Sequence, residues 1–509
     1  MDLLWYAKTL DNKLQSTIPQ DISAESNIQF VTAYLSDWEN SKQRKFMDVC
    51  ERYYNNESDI LDKERTIISK DEENNAVLAK STLLSNNRLT HNFLQKLIKQ
   101  KLGYIISKPF TIDPDDSDDE HAKQMIKDIK TYYTKHFHRM IKNCAKDSLI
   151  NGLGWVQVYY NEHGELSFKR IPSNEVAPIW EDIDHTVLSG VIRKYTVDDF
   201  SSGKKIQNKY LEYYTKDTVY YYKYGIDNTI YPNTDIFVDG VGPHYFSTPT
   251  KDGTVKGISW NKVPFIPFKY NSEETPLLSK IKTLIDDYDK KTSGISDLID
   301  DIPNSITIIK NYDGANKEEF VKNKNEYRTI FVQGDGDAKS LETPLNINEL
   351  DIHLQRLRED IYEFGQGVNT ADKDIRDTSG VALRFLYADL DMDCNDWGPE
   401  LEASITDLLS FILLDIKNSR GIDYTNVNYS ILFNTDVIIN ETETITNAFT
   451  SKGIISDETI AANHPWTRDV DKEMENMYKE DIQELQLETT YGQAPSNTID
   501  GQIRTSGQE

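Results

Sequence analysis

Cysteine and long apolar runs are scarce in this sequence of 509 residues. The three cysteines, Cys50, Cys144 and Cys394, form no CxxC pair, which argues against a zinc site or a disulfide framework and favours reduced packing residues. No apolar run reaches the roughly 18 residues that span a bilayer. No basic segment with an apolar core follows Met1. We therefore expect a protein that is intracellular when made and has no membrane segment.

Positive charge is also in short supply. The chain has 57 Lys and Arg residues against 84 Asp and Glu residues, which gives a formal net charge of -27. A protein that grips nucleic acid needs a basic face to neutralise phosphates, so this balance opposes tight DNA binding. It is compatible with weak, sliding contact with DNA inside an acidic channel, or simply with a soluble, self-repelling surface.

Motifs for nucleotide and acyl-transfer chemistry are missing. The sequence contains no G-x-x-x-x-G-K-[ST] loop and no G-x-S-x-G elbow, so ATP hydrolysis would have to come from a partner. A metal-dependent nuclease could be built on Asp372, Asp374 and Asp377, but these carboxylates are interleaved with Lys373 and Arg376 and have no matching acidic or His motif. We predict no catalytic residue, no metal ion and no cofactor.

A second run of acidic residues follows Asp377 in the sequence. Asp389, Asp391 and Asp393 alternate along a predicted helix, where positions two apart do not share a face. We therefore expect these three carboxylates to be solvated rather than to form a metal site.

The hydrophobic period changes clearly along the chain. Residues 28–110 have apolar residues at helical spacing, and residues 121–150 are predicted to form one further helix after a solvated acidic turn at 113–120. From 152 to 270 the period becomes two, in Tyr- and Val-rich runs broken by Gly, Asn, Asp and Pro, which predicts antiparallel strands. The predicted fold class is α+β.

Two amphipathic helices are predicted to bracket a small module. The first begins after the capping pair Thr275-Pro276. Its apolar residues follow a 4-3-4-3-4 spacing that predicts a narrow packing seam, with Lys and Asp, including Asp289 and Asp297, on the other faces. The seam residues are Ile281, Ile285, Tyr288, Thr292, Ile295 and Ile299. Residues 304–345 are predicted to form a strand (305–310), a short helix (317–325), a second strand (328–333) and a turn (334–336). The second helix covers about 346–364.

A polar stretch at residues 368–379 follows the second helix. Beyond it we predict a long helix (380–419) that Gly398-Pro399 should kink or split. A strand (428–433), short helices (440–477) and a disordered tail (484–509) are predicted to follow.

Three segments of this sequence resemble portal proteins of long-tailed bacteriophages of Gram-positive hosts. They are NNRLTHNF (86–93), continuing to residue 110, WNKVPFIPFKYN (260–271) and TSGVALRF (378–385). Their order, with the bracketed module between the second and third, covers roughly residues 30–480. One departure is that the helix after the polar stretch is acidic, whereas in the family it is often rich in Lys and Arg. This departure argues against a continuous basic lining.

The resemblance implies a portal fold with a β-rich wing, a helical stem, a small α/β clip and a helical crown, assembled as a ring of about twelve subunits. The implied division is a wing at 1–275 (β-rich over 152–270), stem helices at 276–300 and 347–366, a clip at 301–346, a tunnel loop at 367–379, a long wing helix and strand at 380–436, a crown at 437–483 and a disordered tail at 484–509.

The implied function is to form a DNA channel at one capsid vertex of the virion, after assembly in the bacterial host cytoplasm. The implied partners are further copies of the chain, the terminase large subunit, head-completion or adaptor proteins, the major capsid and scaffolding proteins, and double-stranded DNA held transiently and without sequence specificity. The alternatives are another structural protein of the tail or baseplate, or a metal-dependent nuclease.

The candidate site residues form three groups under this resemblance. The tunnel loop would present Thr370, Asp372, Lys373, Asp374, Arg376, Asp377 and Ser379 to DNA. Subunit packing in the stem would use Ile281, Ile285, Tyr288, Ile295 and Ile299. Partner docking on the clip would use Lys317, Lys322 and Lys324.

Overall fold

The computed structural model describes residues 24–70, 75–81, 84–116, 118–201, 203–237, 239–246, 256–301, 306–310, 335, 337–341, 347–370, 385–433, 441–464, 466–467 and 470–491. The helices are α1 (Ile28–Asn40), α2 (Lys42–Tyr54), α3 (Phe93–Ile105), α4 (Glu120–Lys130), α5 (Lys135–Asn151), α6 (Leu278–Asp301), α7 (Ile347–Phe364), α8 (Ala388–Arg420), α9 (Glu441–Ser451), α10 (Asp457–Asn463) and α11 (Val470–Tyr491).

The strands confirm the α+β class. They are β1 (Thr66–Lys70), β2 (Ala76–Lys80), β3 (Thr111–Pro114), β4 (Leu153–Tyr160), β5 (Leu166–Ile171), β6 (Val176–Trp180), β7 (Leu188–Asp199), β8 (Ile206–Tyr214), β9 (Val219–Tyr224), β10 (Ile230–Pro232), β11 (Val241–Gly242), β12 (Tyr245–Phe246), β13 (Gly257–Ile258), β14 (Phe265–Lys269), β15 (Ile306–Lys310), β16 (Asp337–Leu341) and β17 (Tyr429–Leu432). The chain divides into two units, Met1–Asp372 with Tyr387–Asp436, and Lys373–Leu386 with Val437–Glu509.

Part of the largest sheet of the first unit is buried on both faces. Its antiparallel order is β10-β9-β8-β7-β6, with β11 added to β9. Successive side chains of a strand point to opposite faces, so the neighbours Val191 and Ile192 enter different cores, as do Tyr213 and Tyr214. Helix α1 closes one core, and the three-stranded sheet β14-β4-β5 closes the other. This double burial accounts for the Tyr- and Val-rich runs, and the strands predicted between 152 and 270 are confirmed.

The helical prediction for residues 28–110 is wrong between α2 and α3, where the described residues include a strand hairpin and a non-helical segment at 85–91. Strands β1 and β2 form a hairpin in register from Thr66↔Lys80 to Lys70↔Ala76. The β-branched residues Thr66, Ile67 and Ile68 favour extended backbone over helix there.

The single helix predicted for residues 121–150 is two helices, α4 and α5, separated at residues 131–134. Thr134 begins the second by accepting a hydrogen bond from the Phe137 amide at 3.1 Å. Gly152 ends it with φ of 83°, and a Cβ there would lie 2.0 Å from the Glu274 carbonyl oxygen. The acidic turn before α4 is shorter than predicted, because Asp113 lies in β3, which pairs with β17.

Helix α8 is not split at Gly398-Pro399. It continues for 33 residues with Pro399 inside it. Trp397 and Leu401 are completely buried on either side, so their packing outweighs the one backbone hydrogen bond that proline removes. Trp397 also donates its indole N–H to the Lys269 carbonyl of β14 at 3.1 Å. The helix begins at Ala388, and the predicted start at residue 380 lies outside the described residues.

The second unit contains α9, α10 and α11, and α10 packs against α11. Ser456 caps α10 by accepting a hydrogen bond from the Thr459 amide at 3.2 Å. Helix α11 reaches Tyr491, so the prediction of disorder from residue 484 is wrong for residues 484–491. Glu, Lys, Met, Gln and Leu dominate this segment and favour helix.

The module between α6 and α7 is described in part. Strand β15 matches the predicted strand, and β16, which was not predicted, pairs with it antiparallel from Ile306↔Leu341 to Lys310↔Asp337. The predicted short helix at 317–325 and strand at 328–333 lie outside the described residues. None of the helices in the described residues combines the length and the apolar composition that a membrane span requires.

Candidate stem and loop junction

Helix α6, the first predicted stem helix, follows the predicted seam at Ile281 and Ile285 and then buries a different face. Its buried positions advance by three and then repeatedly by four residues: Leu278, Ile281, Ile285, Asp289, Ser293 and Asp297. The placement of Asp289 and Asp297 on outward faces is therefore wrong. The apolar half of this face lies in the protomer core, and the second half is polar.

The predicted seam residues are thus distributed over different environments. Ile281 and Ile285 are buried inside the protomer, and Tyr288 packs edge-on against Phe93 with ring centroids 5.0 Å apart. Ile295 is half-buried, whereas Ile299 is 60% exposed. Of the five stem residues, Ile299 is the one whose side chain is most available to a neighbouring subunit.

An extended segment, residues 85–91, lies along the polar half of α6, and we call it the strap. Every second backbone N–H of the strap donates to a side chain of every fourth residue of the helix. The pairs are Ser85 with Asp301 (3.0 Å), Asn87 with Asp297 (2.5 Å), Leu89 with Ser293 (2.9 Å) and His91 with Asp289 (3.0 Å). Two residues of extended chain advance about 6.6 Å and four residues of helix about 6.0 Å, so the two repeats match.

Charged and polar side chains that precede the strap in sequence bind the same carboxylates of α6. Lys63 bonds Asp297 at 2.5 Å, and Arg65 bonds Asp301 at 2.6 Å. Asp289, which is fully buried, accepts further hydrogen bonds from the Ser58 hydroxyl (2.6 Å) and His91 Nδ1 (2.8 Å). These carboxylates therefore satisfy backbone donors that have no strand or helix partner.

Helix α7, the second predicted stem helix, packs on α6. Its residues Leu357 and Ile361 are buried, and His353 Nε2 lies 3.2 Å from the Asp287 carboxylate of α6. Phe93 of α3 contacts an aromatic ring from each stem helix, Tyr288 and Tyr362, both edge-on. Helix α3 thus joins the two stem helices.

The chain leaves α7 through a tight turn pressed against α3. A Cβ built on Gly367 would lie 2.2 Å from Leu97 Cδ2, so a side chain there would force Leu97 to shift. Gln100 bonds both backbone groups of Val368, donating to its carbonyl at 2.7 Å and accepting from its amide at 3.1 Å. Lys96 donates to the Thr370 hydroxyl at 3.1 Å. One face of α3 therefore fixes the start of the predicted tunnel loop.

A buried ion cluster lies behind this turn. We call it the Asp393 cluster, and it consists of Lys101, Tyr270, Lys280, Gln366 and Asp393. Lys101 lies 2.6 Å from Asp393, and Lys280 lies 3.3 Å from it. The Tyr270 hydroxyl lies 2.8 Å from both carboxylate oxygens. The expectation that Asp393 is solvated is wrong, because α8 turns this residue inward against two cations.

Burial governs proton binding in this cluster. It lowers the pKa of Lys101, which is 0% exposed, and the charge of Asp393 opposes that shift. Burial also raises the pKa of the Tyr270 hydroxyl well above its ordinary value, and the Asp393 charge adds to this rise. Tyr270 is therefore a neutral hydrogen-bond donor to the carboxylate.

The remaining carboxylates of that run stay at the surface. Asp389 is exposed, and Asp391 is exposed but accepts a hydrogen bond from the Tyr104 hydroxyl at 2.6 Å. Within the described part of the chain, no group of three or more His, Cys, Asp or Glu residues could hold a metal ion. The three cysteines are buried and free, as predicted.

The other predicted site residues can be placed only in part. Thr370 is the described member of the tunnel-loop set, whereas Asp372, Lys373, Asp374, Arg376, Asp377 and Ser379 lie outside the described residues. The clip residues Lys317, Lys322 and Lys324 also lie outside them. The sequence reasoning missed the roles of Lys101 and Asp393, although an ionisable residue within the apolar run of α3 was a usable signal.

Comparison with known proteins identifies the class. The family model for phage portal proteins of the SPP1 Gp6-like type matches residues 36–487, and this chain belongs to that family. A portal protein of Bacillus phage SPP1 is 27% identical over 433 residues, which cover 84% of this chain and 82% of that protein. A portal protein of Clostridium phage phiCD119 is 27% identical over 444 residues, which cover 84% of this chain and 91% of that protein.

The family match decides between the function classes raised by the sequence. Phage portal proteins are structural, non-enzymatic components of the virion that work as oligomeric rings. The nuclease alternative is therefore set aside, and so is assignment to another class of phage structural protein.

Proposed function

We propose that this chain forms a ring, of about twelve subunits, that is a DNA channel at one capsid vertex. The observation that carries the proposal is the family match over residues 36–487. On this proposal the ring assembles in the host cytoplasm with capsid and scaffolding proteins, docks the terminase large subunit during packaging and later holds head-completion or adaptor proteins. The acidic net charge of -27 suits a channel that passes DNA without gripping it.

The proposed stem is the pair α6 and α7, with the clip at 301–346 between them. The packing of α7 on α6 and the antiparallel pairing of β15 with β16 support this assignment. The wing (1–275 and 380–436) and crown (437–483) follow from the same family pattern.

The test of ring formation is negative-stain electron microscopy of the purified full-length chain. We expect closed rings with a central channel, because a portal must surround DNA. Monomers at every protein concentration, or filaments instead of closed rings, would contradict the proposal.

We propose that residues 367–379 reach the channel and contact DNA phosphates. The observations that support it are the anchoring of Val368 and Thr370 on α3 and the local composition of two cations and three carboxylates. Near-zero local charge lets DNA slide, because a strongly basic ring would retain phosphates and an acidic ring would repel them. Contacts of this kind carry no sequence information, since base readout requires groove contacts.

Removing the two cations tests this loop. Lys373→Ala with Arg376→Ala should leave ring assembly unchanged and shorten the DNA retained in assembled heads, measured by gel electrophoresis of the packaged genome. The matched control is Lys99→Ala, which removes an exposed lysine of α3 that bonds Gln95. Wild-type filling and retention in the double variant would remove these residues from the DNA path.

We propose that the clip docks the terminase through Lys317, Lys322 and Lys324. The clip connects α6 and α7, which pack on each other, so its two ends lie on adjacent helices. Reversal of all three charges to Glu should weaken binding of the purified terminase large subunit by about tenfold or more, since interfacial charges set both the rate of encounter and the choice of partner. Surface plasmon resonance on intact rings measures it, and unchanged binding would assign docking to another surface.

A further inference from the structure

The chain on both sides of residues 371–384 is fastened to the same two lysines. Lys101 Nζ lies 2.9 Å from the Gln366 carbonyl oxygen and 2.6 Å from Asp393 Oδ2. Lys280 Nζ lies 2.7 Å from Gln366 Oε1 and 3.3 Å from Asp393 Oδ1. Gln366 belongs to the turn that precedes the segment, and Asp393 lies in the second turn of α8, which follows it. Each lysine therefore bridges the two sides.

One of these contacts is made to the main chain and therefore fixes the position of the backbone itself. Lys101 binds the backbone carbonyl of Gln366, so it fixes the path of the chain whatever side chain the turn carries. Gln366 has φ of 50°, a left-handed conformation that is costly for a residue other than glycine and needs supporting contacts. The cluster supplies these contacts from α3 and α6.

The composition of the cluster distinguishes it from ordinary packing. Lys101 and Tyr270 are buried, and Asp393 is 4% exposed, so the carboxylate has lost its hydration and depends on its three donors. A well-packed apolar cluster would hold the same helices together at no greater cost in free energy. What an apolar cluster lacks is direction, because hydrogen bonds fix orientation and register whereas apolar contacts do not.

We propose that Asp393 and Lys101 are positioning residues that hold the turn before residues 371–384, at Gln366, and the start of α8 after them in one fixed geometry relative to α3 and α6. The turn at Gln366 and the first turns of α8 then stay with α3 and α6 while DNA passes. This role rests on the proposed function of the loop, but the fastening itself does not.

The test separates the fastening from overall stability. The triple variant Lys101→Met, Tyr270→Phe and Asp393→Leu removes the ion pair without leaving a buried charge or hydroxyl unpaired, and Lys280, which is 37% exposed, can turn to water. The control is Lys99→Met on the same helix, whose exposed side chain bonds Gln95 and does not contact the cluster. Amide hydrogen exchange of the full-length chain, read on peptides covering 365–370 and 388–394, is the measurement.

We expect exchange in both peptides to accelerate by about tenfold or more in the triple variant, with no comparable change elsewhere in α3 or in the sheets. DNA retained in heads should shorten, and Lys99→Met should match the wild type in both assays. If the triple variant does not fold, Asp393→Asn takes its place, since it keeps the shape of the side chain and removes its charge. The same two peptides should then accelerate by a smaller factor.

Unchanged exchange in these peptides would overturn the proposal, because the cluster would then contribute packing alone. Accelerated exchange with wild-type DNA retention would overturn the positioning role and leave only the fastening. The Lys373→Ala, Arg376→Ala variant then separates failure of the DNA contact from failure of the positioning role. If this variant also packages DNA normally, the loop does not contact DNA as proposed. If its packaging is impaired, the loop contacts DNA but does not need the fixed geometry.

Discussion

Asp289→Ala is expected to lower the free energy of unfolding by about 3 kcal/mol, the largest loss we predict for removing one polar side chain of the stem. Asp289 is fully buried and accepts hydrogen bonds from the Ser58 hydroxyl and from both the amide and Nδ1 of His91. The truncation leaves these donors without an acceptor and opens space beside α6. Urea unfolding followed by tryptophan fluorescence measures the loss.

A matched control lies on the same helix. Asp300 is exposed and accepts one hydrogen bond, from Asn87 Nδ2 at 2.7 Å. Asp300→Ala should change the unfolding free energy by no more than about 0.5 kcal/mol, the usual range for surface substitutions. Equal stabilities for the two variants would show that the strap does not depend on the buried carboxylate.

The strap explains why sequence periodicity misassigned one face of α6. Positions 289, 293, 297 and 301 are polar and four residues apart, a pattern that normally indicates a solvated helix face. Here the same side chains accept hydrogen bonds from an extended main chain. Polarity in sequence cannot distinguish these two environments, because both satisfy the hydrogen-bonding groups of the side chain.

Elements with a strong local period were predictable. Helix α7 begins and ends within one residue of its prediction, and β9 coincides with a Tyr-rich run at 219–224. Helix α7 buries a face whose repeat is visible in a single segment. The strap and the Asp393 cluster were not predictable in this way, since each joins residues 190 or more positions apart. The strap had one sequence signal, the NNRLTHNF segment, which the family resemblance singled out without a structural reason, and the Asp393 cluster had another, the ionisable Lys101 within the apolar run of α3.

The acidic character of α8 also has a structural explanation. The family expectation of a basic helix after the tunnel loop assumes that its charges face the channel. In this chain Asp393 points inward to two lysines, and Asp391 binds Tyr104 of α3. Two of the acidic residues are therefore engaged within the protomer and do not bear directly on the charge of a channel wall.

The ring interface is best tested at Ile299, for which we expect Ile299→Asp to abolish assembly. Ile285 of the predicted seam is unsuitable for this test, because it is 2% exposed within the protomer, so an aspartate there would unfold the chain and give no information on the ring. Ile299 is 60% exposed near the end of α6, beside Leu298 at 45%, and the protomer should tolerate a carboxylate there.

At a subunit interface the same carboxylate would be buried without a partner, at a cost of roughly 2–5 kcal/mol per interface. A closed ring repeats that cost at every contact, so assembly should fail by a wide margin. Static light scattering coupled to size exclusion should then give monomers with a wild-type circular dichroism spectrum. The control is Ile226→Asp, which changes a fully exposed residue in the turn between β9 and β10 and should still give rings. Rings formed by Ile299→Asp at wild-type concentrations would place the stem interface on another face of α6.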